Sequence, residues 1–385
     1  MFKFLIVLLI SAIQVTSASP IYKSLTDLTS GRNAFTVEVG SQLYISSASS
    51  STSLNNIFIE TGSKNTSALT LSQNYSPSPI KTGLLLTNAQ LVVHNLNPVN
   101  VSTKGFLYVT TASQAANIIV VDNVKIINLS PALTTVNTTI VVFNPQSTTS
   151  NMPLNVADVT YTTDDVSSTA TFGTGVPGSG EQTFFQNPIK MLTTKGYVTQ
   201  FFNSPERFQV SIPVFHVKFT GGYKLTVQPG KNALTTTTSR TTTGLLSILD
   251  GFNLNTHLNF LKPDSETGLT YLNYLGSFNS TININLVSQT SSVNDKLNAA
   301  VLSDGNYYNN FLFDSINVDV PSSNVGYLLI QYVIVENGAV TNAPATNQPP
   351  VTPHVVLTTT RSSSDGLPYS LAVFSIMAIF CNYLL

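Results

Sequence analysis

The sequence predicts an all-β protein, two β-sandwich domains in tandem followed by a Pro/Thr/Ser-rich stalk, and three observations predict it. Apolar and β-branched residues come in short runs with Ser, Thr, Asn, Gly and Pro between them, recurring about every 8–12 residues as strands and turns do in a sandwich. Helical periodicity is nearly absent: the one tempting segment, Val293 to Leu302, is interrupted by Asn294 and Asn298 and amounts at best to a short helix. An internal repeat appears when Gly40 is laid on Gly230. FTVEVGSQLYISSASSSTSLNNIFIETG (35–62) then runs beside YKLTVQPGKNALTTTTSRTTTGLLSILDG (223–251), and TGLLLTNAQLVVHN from Thr82 beside TGLTYLNYLGSFN from Thr267.

In chain order, the first element is MFKFLIVLLISAIQVTSASP, with one lysine, an apolar stretch from Phe4 to Ile13 and small residues at Ser17, Ala18 and Ser19. This is the layout of a secretory signal peptide over 1–18, cut after Ala18 because a cut after Ser19 would leave Pro20 in the first mature position. The first sandwich is expected over 19–145, from the runs Phe35–Val39, Leu43–Ile45, Ile57–Ile59, Leu69–Leu71, Leu84–Leu86, Leu91–Val93, Phe106–Val109 and Ile118–Val121. Between Asn144 and Gln182 the stretches NPQSTTSNMP, TTDDVSST and GTGVPGSGE crowd together, so 146–184 reads as a polar linker region. The second sandwich is expected over 185–337. After Val335 the strand pattern stops, and 338–362 is a Pro/Thr/Ser stalk too poor in apolar residues to build a core. Its threonines suit O-linked sugar.

Residues 363–385 form a C-terminal hydrophobic GPI signal. LAVFSIMAIFCNYLL is uncharged to Leu385, and small residues at Ser362, Ser363 and Ser364 precede a spacer that runs to Ser370. Such a signal wants a small triplet, a spacer of about 8–12 residues and a tail of about 10–20, which makes Ser362 the attachment residue. The alternative is a short tail anchor, although a spanning helix wants roughly 20 apolar residues and flanking Lys or Arg. Both readings place the folded part outside the cell.

Composition agrees with that placement. Only 9% of the chain is charged and the formal net charge is −1, against about 25% charged in an average soluble protein. No basic or acidic patch stands out, so no nucleic-acid partner is expected. Solubility falls to Ser, Thr, Asn and sugar. Sequons stand at Asn65, Asn74, Asn100, Asn128, Asn137 and Asn279; those at Asn74 and Asn128 are followed by proline, which is expected to lower their use. The single cysteine, Cys381, lies in the tail, so the mature chain is expected to hold no thiolate site.

Catalytic chemistry is sparse. GTGVPG, Gly173 to Gly178, has dinucleotide-loop spacing but lacks a following helix start and contains Pro177, so it reads as linker. His94, His216, His257 and His354 stand singly, the first two within apolar strands where a satisfied sandwich residue is expected. Asp164 and Asp165 are adjacent, and a strand would send them to opposite faces. The threonine cluster from Thr235 to Thr243 reads as an edge and loop. No cofactor, metal or catalytic residue is expected. The best ligand-contact candidates are Tyr307 and Tyr308 in SDGNYYNN, because tyrosine combines ring area with a hydroxyl; a core position is the competing reading.

The repeated unit of strand, glycine turn, strand, loop and apolar strand, carried by FTVEVGSQLYI with NIFIETG and by YKLTVQPG with LLSILDG, resembles the CUB-like domain proteins abundant in nematodes. GFLYVTT and GYLLIQYVIV look like later core strands of that unit. The resemblance implies extracellular β-sandwich proteins without known catalysis, several linked to defence against microbes. In calcium-binding CUB domains the acidic residue of the Asp-Gly turn is a ligand; Asp250 matches that place, the first copy has Thr61, and no set of partner carboxylates accompanies either. The expected function is a GPI-anchored surface glycoprotein that binds an extracellular protein or glycan. A structural surface coat is the runner-up and a secreted hydrolase the third reading.

Overall fold

The computed structural model describes residues 19–336 apart from 77–78, 123–126, 130–137, 148–152, 162–168, 194–195, 204, 221–222, 231–233, 238, 250–256, 261–266 and 289–290. The signal peptide, the stalk, Ser362, the apolar tail, Asn137, Asp164, Asp165, Asp250 and His354 lie outside the described residues.

Eight strands build a first sandwich: β1 (Ile21–Ser24), β2 (Gly31–Thr36), β3 (Gln42–Ser46), β4 (Ile57–Thr61), β5 (Lys64–Ser67), β6 (Leu84–Leu85), β7 (Gln90–Asn95) and β8 (Phe106–Val109). They form two antiparallel sheets in the orders β1-β8-β3-β6 and β2-β7-β4-β5. Leu43, Ile45, Leu107 and Val109 of one meet Ile57, Ile59, Leu91 and Val93 of the other, all fully or almost fully buried. Two one-turn helices, α1 (Ser51–Asn55) and α2 (Ala68–Ser72), close this core with Leu54, Ala68 and Leu71. Each is started by a serine whose hydroxyl accepts a backbone N–H, Ser50 from Ser53 and Ser67 from Thr70. The run Leu69–Leu71, expected as a strand, is therefore helix: the Ser67 cap turns the chain, and burial at Ala68 and Leu71 follows a spacing of three.

A second sandwich follows where a linker was expected. Its strands are β9 (Ile118–Asp122), β10 (Ile127–Leu129), β11 (Thr139–Phe143), β12 (Leu154–Tyr161), β13 (Thr169–Thr174) and β14 (Thr183–Asn187), then, after the hairpin β15 (Ile189–Thr193) and β16 (Gly196–Gln200), β17 (Phe208–Val210), β18 (Val214–Thr220) and β19 (Tyr223–Pro229). The sheets are β14-β13-β18-β11-β9, in which β9 and β11 run parallel, and β10-β19-β12-β17. Phe172 lies at the centre of their core, within 6.4 Å, ring centroid to centroid, of Phe184, Phe185, Phe208, Phe215 and Phe219. The region 146–184 thus carries β12, β13 and the start of β14, all paired into these sheets. Its threonines read as polar in sequence, yet Thr is a good strand former and pairs across a ladder without needing an apolar side chain.

The third sandwich comprises β20 (Thr242–Leu249), β21 (His257–Asn259), β22 (Thr267–Phe278), β23 (Ile282–Val287), β24 (Ser292–Leu297), β25 (Ala300–Phe311), β26 (Ser315–Asp319) and β27 (Gly326–Glu336), in sheets β20-β27-β22-β25 and β21-β26-β23-β24. The segment from Val293 to Leu302 is strand, β24 and the start of β25, rather than a short helix. The second copy of the repeat, 223–251, crosses from β19 in the second sandwich to β20 in the third, so it matches no repeated structural unit.

The sandwiches pack on one another. The outer face of the β1-β8-β3-β6 sheet, with Tyr44, Phe106 and Tyr108, lies against Val120, Val141, Phe143 and Val214 of the five-stranded sheet. Leu245, Leu275 and Leu329 of the third sandwich join the core of the second, and the β15–β16 hairpin buries Ile189 and Met191 against Leu269, Tyr271, Val333 and Val335. Sheets covered on both faces explain the unbroken apolar runs TIVVF, VFHVKF and YLLIQYVIV, which would alternate in a sheet with one face in water.

Candidate functional site at the junction of the first two sandwiches

Among the described residues, a set of buried ionisable side chains lies at the junction of the first and second sandwiches. Its centre is apolar: Tyr22, Phe106, Phe143 and Tyr108 form a chain of rings with centroids 5.8–6.2 Å apart. Burial pushes the Tyr44 phenol up to about 12 and the Tyr22 and Tyr108 phenols further in the same direction, so these hydroxyls stay protonated at any physiological pH.

On one side, Lys81 enters from the first sandwich and meets Asp122 at the end of β9, Nζ to Oδ2 3.4 Å, with both side chains all but sealed from solvent. Lys81 Nζ also donates to the Ser72 carbonyl at 2.7 Å and sits 4.3 Å from the Tyr75 ring centroid. Asp122 Oδ2 accepts from Ser46 Oγ at 2.9 Å and from Tyr75 at 3.4 Å; its Oδ1 is buried with no partner among the described residues. Burial pushes the lysine below and the aspartate above their usual ranges, opposed in each by the attraction of the other. The backbone here is shared too, because Lys81 N–H donates to Val120 O at 2.9 Å and Ile80 bridges Val121. This segment covers the exposed edge of β9.

On another side lies the glycine loop from Gly173 to Glu181. A Cβ on Gly173 would collide with the His216 ring, and Gly178 adopts φ +84°, a conformation that side chains resist. The glycines of GTGVPG therefore serve a turn that packs on a histidine. His216, 2% exposed, has Nδ1 3.1 Å from the Gly175 carbonyl, which fixes the proton on Nδ1, and Nε2 3.4 Å from Glu181 Oε2. Burial pushes its imidazole below the usual value, against the Gly175 carbonyl and Glu181, which favour the charged ring. Glu181 is ion-paired to Lys218 and accepts from Gly178 N–H at 2.7 Å; burial alone would raise its carboxyl, but these donors hold it below the usual range. The loop docks on α3 (Ala112–Ala115), whose Gln114 donates Nε2–H to Pro177 O at 3.0 Å. Beside it a groove of about 350 Å³ is lined by Ser113, Asn117, Ile118, Thr139, Glu181 and Lys218 among others.

The residues singled out from sequence are not gathered here, His216 excepted. His94 is partly exposed and pairs with Glu60 at 2.9 Å on the outer face of the first sandwich. His257 is exposed and bonds Asn317. Tyr307 is half-buried and packs against the third core; Tyr308 follows it on β25. Of the threonine cluster, Thr237, Thr242 and Thr243 are buried, and Thr243 Oγ1 donates to Tyr332 O at 2.8 Å. Asn65, Asn100 and Asn279 are exposed, Asn74 is half-buried with its amide donating to Thr82 O at 3.1 Å, and Asn128 lies on β10. Sequence reasoning missed Lys81, Asp122 and Glu181. The signal was there for Asp122: in a chain so poor in charge, an aspartate closing the run IIVV has to be accounted for. Among the described residues no group of three or more His, Cys, Asp or Glu could hold a metal ion, and no helix is long and apolar enough to cross a membrane.

The fold defines a class, a protein built of antiparallel β-sandwiches packed on one another. The chain belongs to the family described as transmembrane glycoprotein, whose model matches residues 38–380. No curated protein matches it. Among solved structures it is similar to the CUB1-EGF-CUB2 domains of rat MASP-1, at 8% identity and a TM-score of 0.20, over 56% of this chain and 99% of that one.

Proposed function

We propose that the protein is an extracellular display glycoprotein: β-sandwiches held off the membrane by the 338–362 stalk and a lipid anchor at Ser362, binding another protein or glycan through their loops, without catalysis. The observation that carries this reading is the packing of the sandwiches on one another. Buried Gln331 donates Nε2–H to Gln186 O at 2.8 Å while its Oε1 accepts Gln186 N–H at 3.1 Å, so a third-sandwich side chain extends the ladder of the second. Together with the aromatic junction above, such contacts fix the loops of separate sandwiches relative to one another, as a display surface requires. The loop 96–103 suits contact: Val99 is 93% exposed and Leu96 60%, while buried Asn97 braces the loop base by donating to Ser53 O at 2.9 Å and to Thr103 at 3.2 Å. The resemblance to CUB-like surface proteins adds a role in defence against microbes.

Purified protein screened against extracellular proteins and microbial glycans should show saturable binding to one of them. A screen with no saturable partner supports the coat reading instead. Dose-dependent hydrolysis of a substrate, removed by one Ser, His or Asp substitution, would replace both with an enzyme.

A further inference from the structure

Lys81 and Asp122 are the only lysine and the only aspartate that the fold buries among the described residues, with side chains 0% and 3% exposed. Sealing two charges from water is costly unless every lone pair and proton finds a partner. Here the partners are one-sided. Lys81 Nζ, Ser46 Oγ and the Tyr75 hydroxyl all converge on Asp122 Oδ2, at 3.4, 2.9 and 3.4 Å, while buried Oδ1 has no partner among the described residues. Burial favours the uncharged form of both groups, an amine and a carboxylic acid. A desolvated lysine in that form is a nucleophile, and the carboxyl it touches is the electrophile at hand.

The two groups come from different sandwiches. Lys81 lies in the segment that leads into β6, Asp122 closes β9, and the 2.9 Å bond from Lys81 N–H to Val120 O holds the two backbones together. The side chains are therefore presented to each other by a fixed backbone, which turns a bimolecular step into an intramolecular one. With one cysteine in the whole chain, no disulfide within it can tie these sandwiches. We propose that Lys81 and Asp122 are a modification site, joined in the mature protein by an isopeptide bond from Nζ to Cγ. The step needs no co-reactant. After a proton passes from ammonium to carboxylate, the Nζ lone pair attacks Cγ; the Nζ–Cγ bond forms and the Cγ–Oδ2 bond breaks. Oδ2 leaves as water, with the carboxyl proton and one proton from Nζ, and Oδ1 stays as the amide carbonyl. Ser46 and Tyr75 donate to the oxygen that leaves. The ion pair is then the unreacted state. Lys81→Met and its double variant with Asp122→Leu both lack the bond, so comparing those two isolates the charge pair.

The test is peptide mass spectrometry of the full chain, expressed in secretory cells, denatured, freed of N-linked sugar and digested with trypsin. Trypsin cuts after Lys64, Lys104 and Lys125 but not after an acylated Lys81, so the expected product is peptide 65–104 joined to peptide 105–125, one water lighter than the two apart. Fragmentation should place the link at Lys81 and Asp122. In Lys81→Arg, which keeps the charge, and in Asp122→Ala, the link should be absent; the wild-type peptides decide the matter even where a variant fails to fold. Cleavage after Lys81 in the bulk of the wild-type protein, with 105–125 at its full mass, would overturn the proposal. So would a loss of water confined to 105–125 with Lys81 still cleaved, since Asp122 would then have closed on its own backbone as a succinimide.

Discussion

His216 sits between Gly173 and Glu181 as a neutral ring, and its burial has a pH consequence. With the folded pKa below the unfolded value of about 6.5, the unfolded chain takes up the proton first as pH falls, so this residue's contribution is whole above that value and is lost on acidification. Glu181 acts in the same direction at lower pH: its folded pKa is depressed, so its contribution is lost as pH falls below the usual carboxylate range. Denaturation followed from pH 7.5 to 5 should therefore show falling stability, with a shallower slope in His216→Gln, which can still donate to Gly175 O. An unchanged slope would mean that His216 is not the titrating group. The Lys81–Asp122 pair makes a sharper case at the same scale. Lys81→Met leaves a buried carboxylate unpaired and should cost about 3–5 kcal/mol, whereas Lys81→Met with Asp122→Leu should recover most of it. Urea titration of both variants checks this.

At the scale of elements, the second sandwich depends on Phe172 of β13, whose ring touches phenylalanines from β14, β17 and β18. Phe172→Ala should destabilise by about 3–5 kcal/mol, a loss that a true linker residue would not produce. Tyr307→Ala should likewise lower the Tm by several degrees if packing against the third core is its role, and leave it unchanged if Tyr307 is a free contact. Strands were legible in sequence wherever branched residues cluster, as in β4, β9 and β27, because the run itself is the core surface. The number of sandwiches was not. TATFGT of β13 spends four of its six positions on threonine and glycine, and a composition rule takes it for loop although Ala170 and Phe172 are fully buried. The helix at Ala68–Ser72 was hidden by its length, one turn, too short for any periodicity. The groove and the ion pair were hidden for another reason: Ser113, Thr139, Glu181 and Lys218 are tens of residues apart, and the pairing of β9, β11 and β18 in one sheet, with the glycine loop docked on α3, brings them together.

At the scale of the whole molecule, the chain belongs to the transmembrane glycoprotein family and folds as a set of sandwiches packed on one another. Glycan occupancy follows from exposure. Mass spectrometry of the chain from secretory cells should find Asn65, Asn100 and Asn279 occupied and Asn74 bare, since its amide is already committed to Thr82 O and proline follows its sequon. The central claim is display at the cell surface through a lipid at Ser362, and it has a direct test. Cells expressing the full chain are treated with phosphatidylinositol-specific phospholipase C, and the medium is probed with an antibody to the sandwiches. Release into the medium of protein that lacks Cys381 is the expected result; retention on the cells, with a Cys381 thiol detectable in the mature protein, would contradict lipid anchoring and show that the apolar tail stays as a spanning segment.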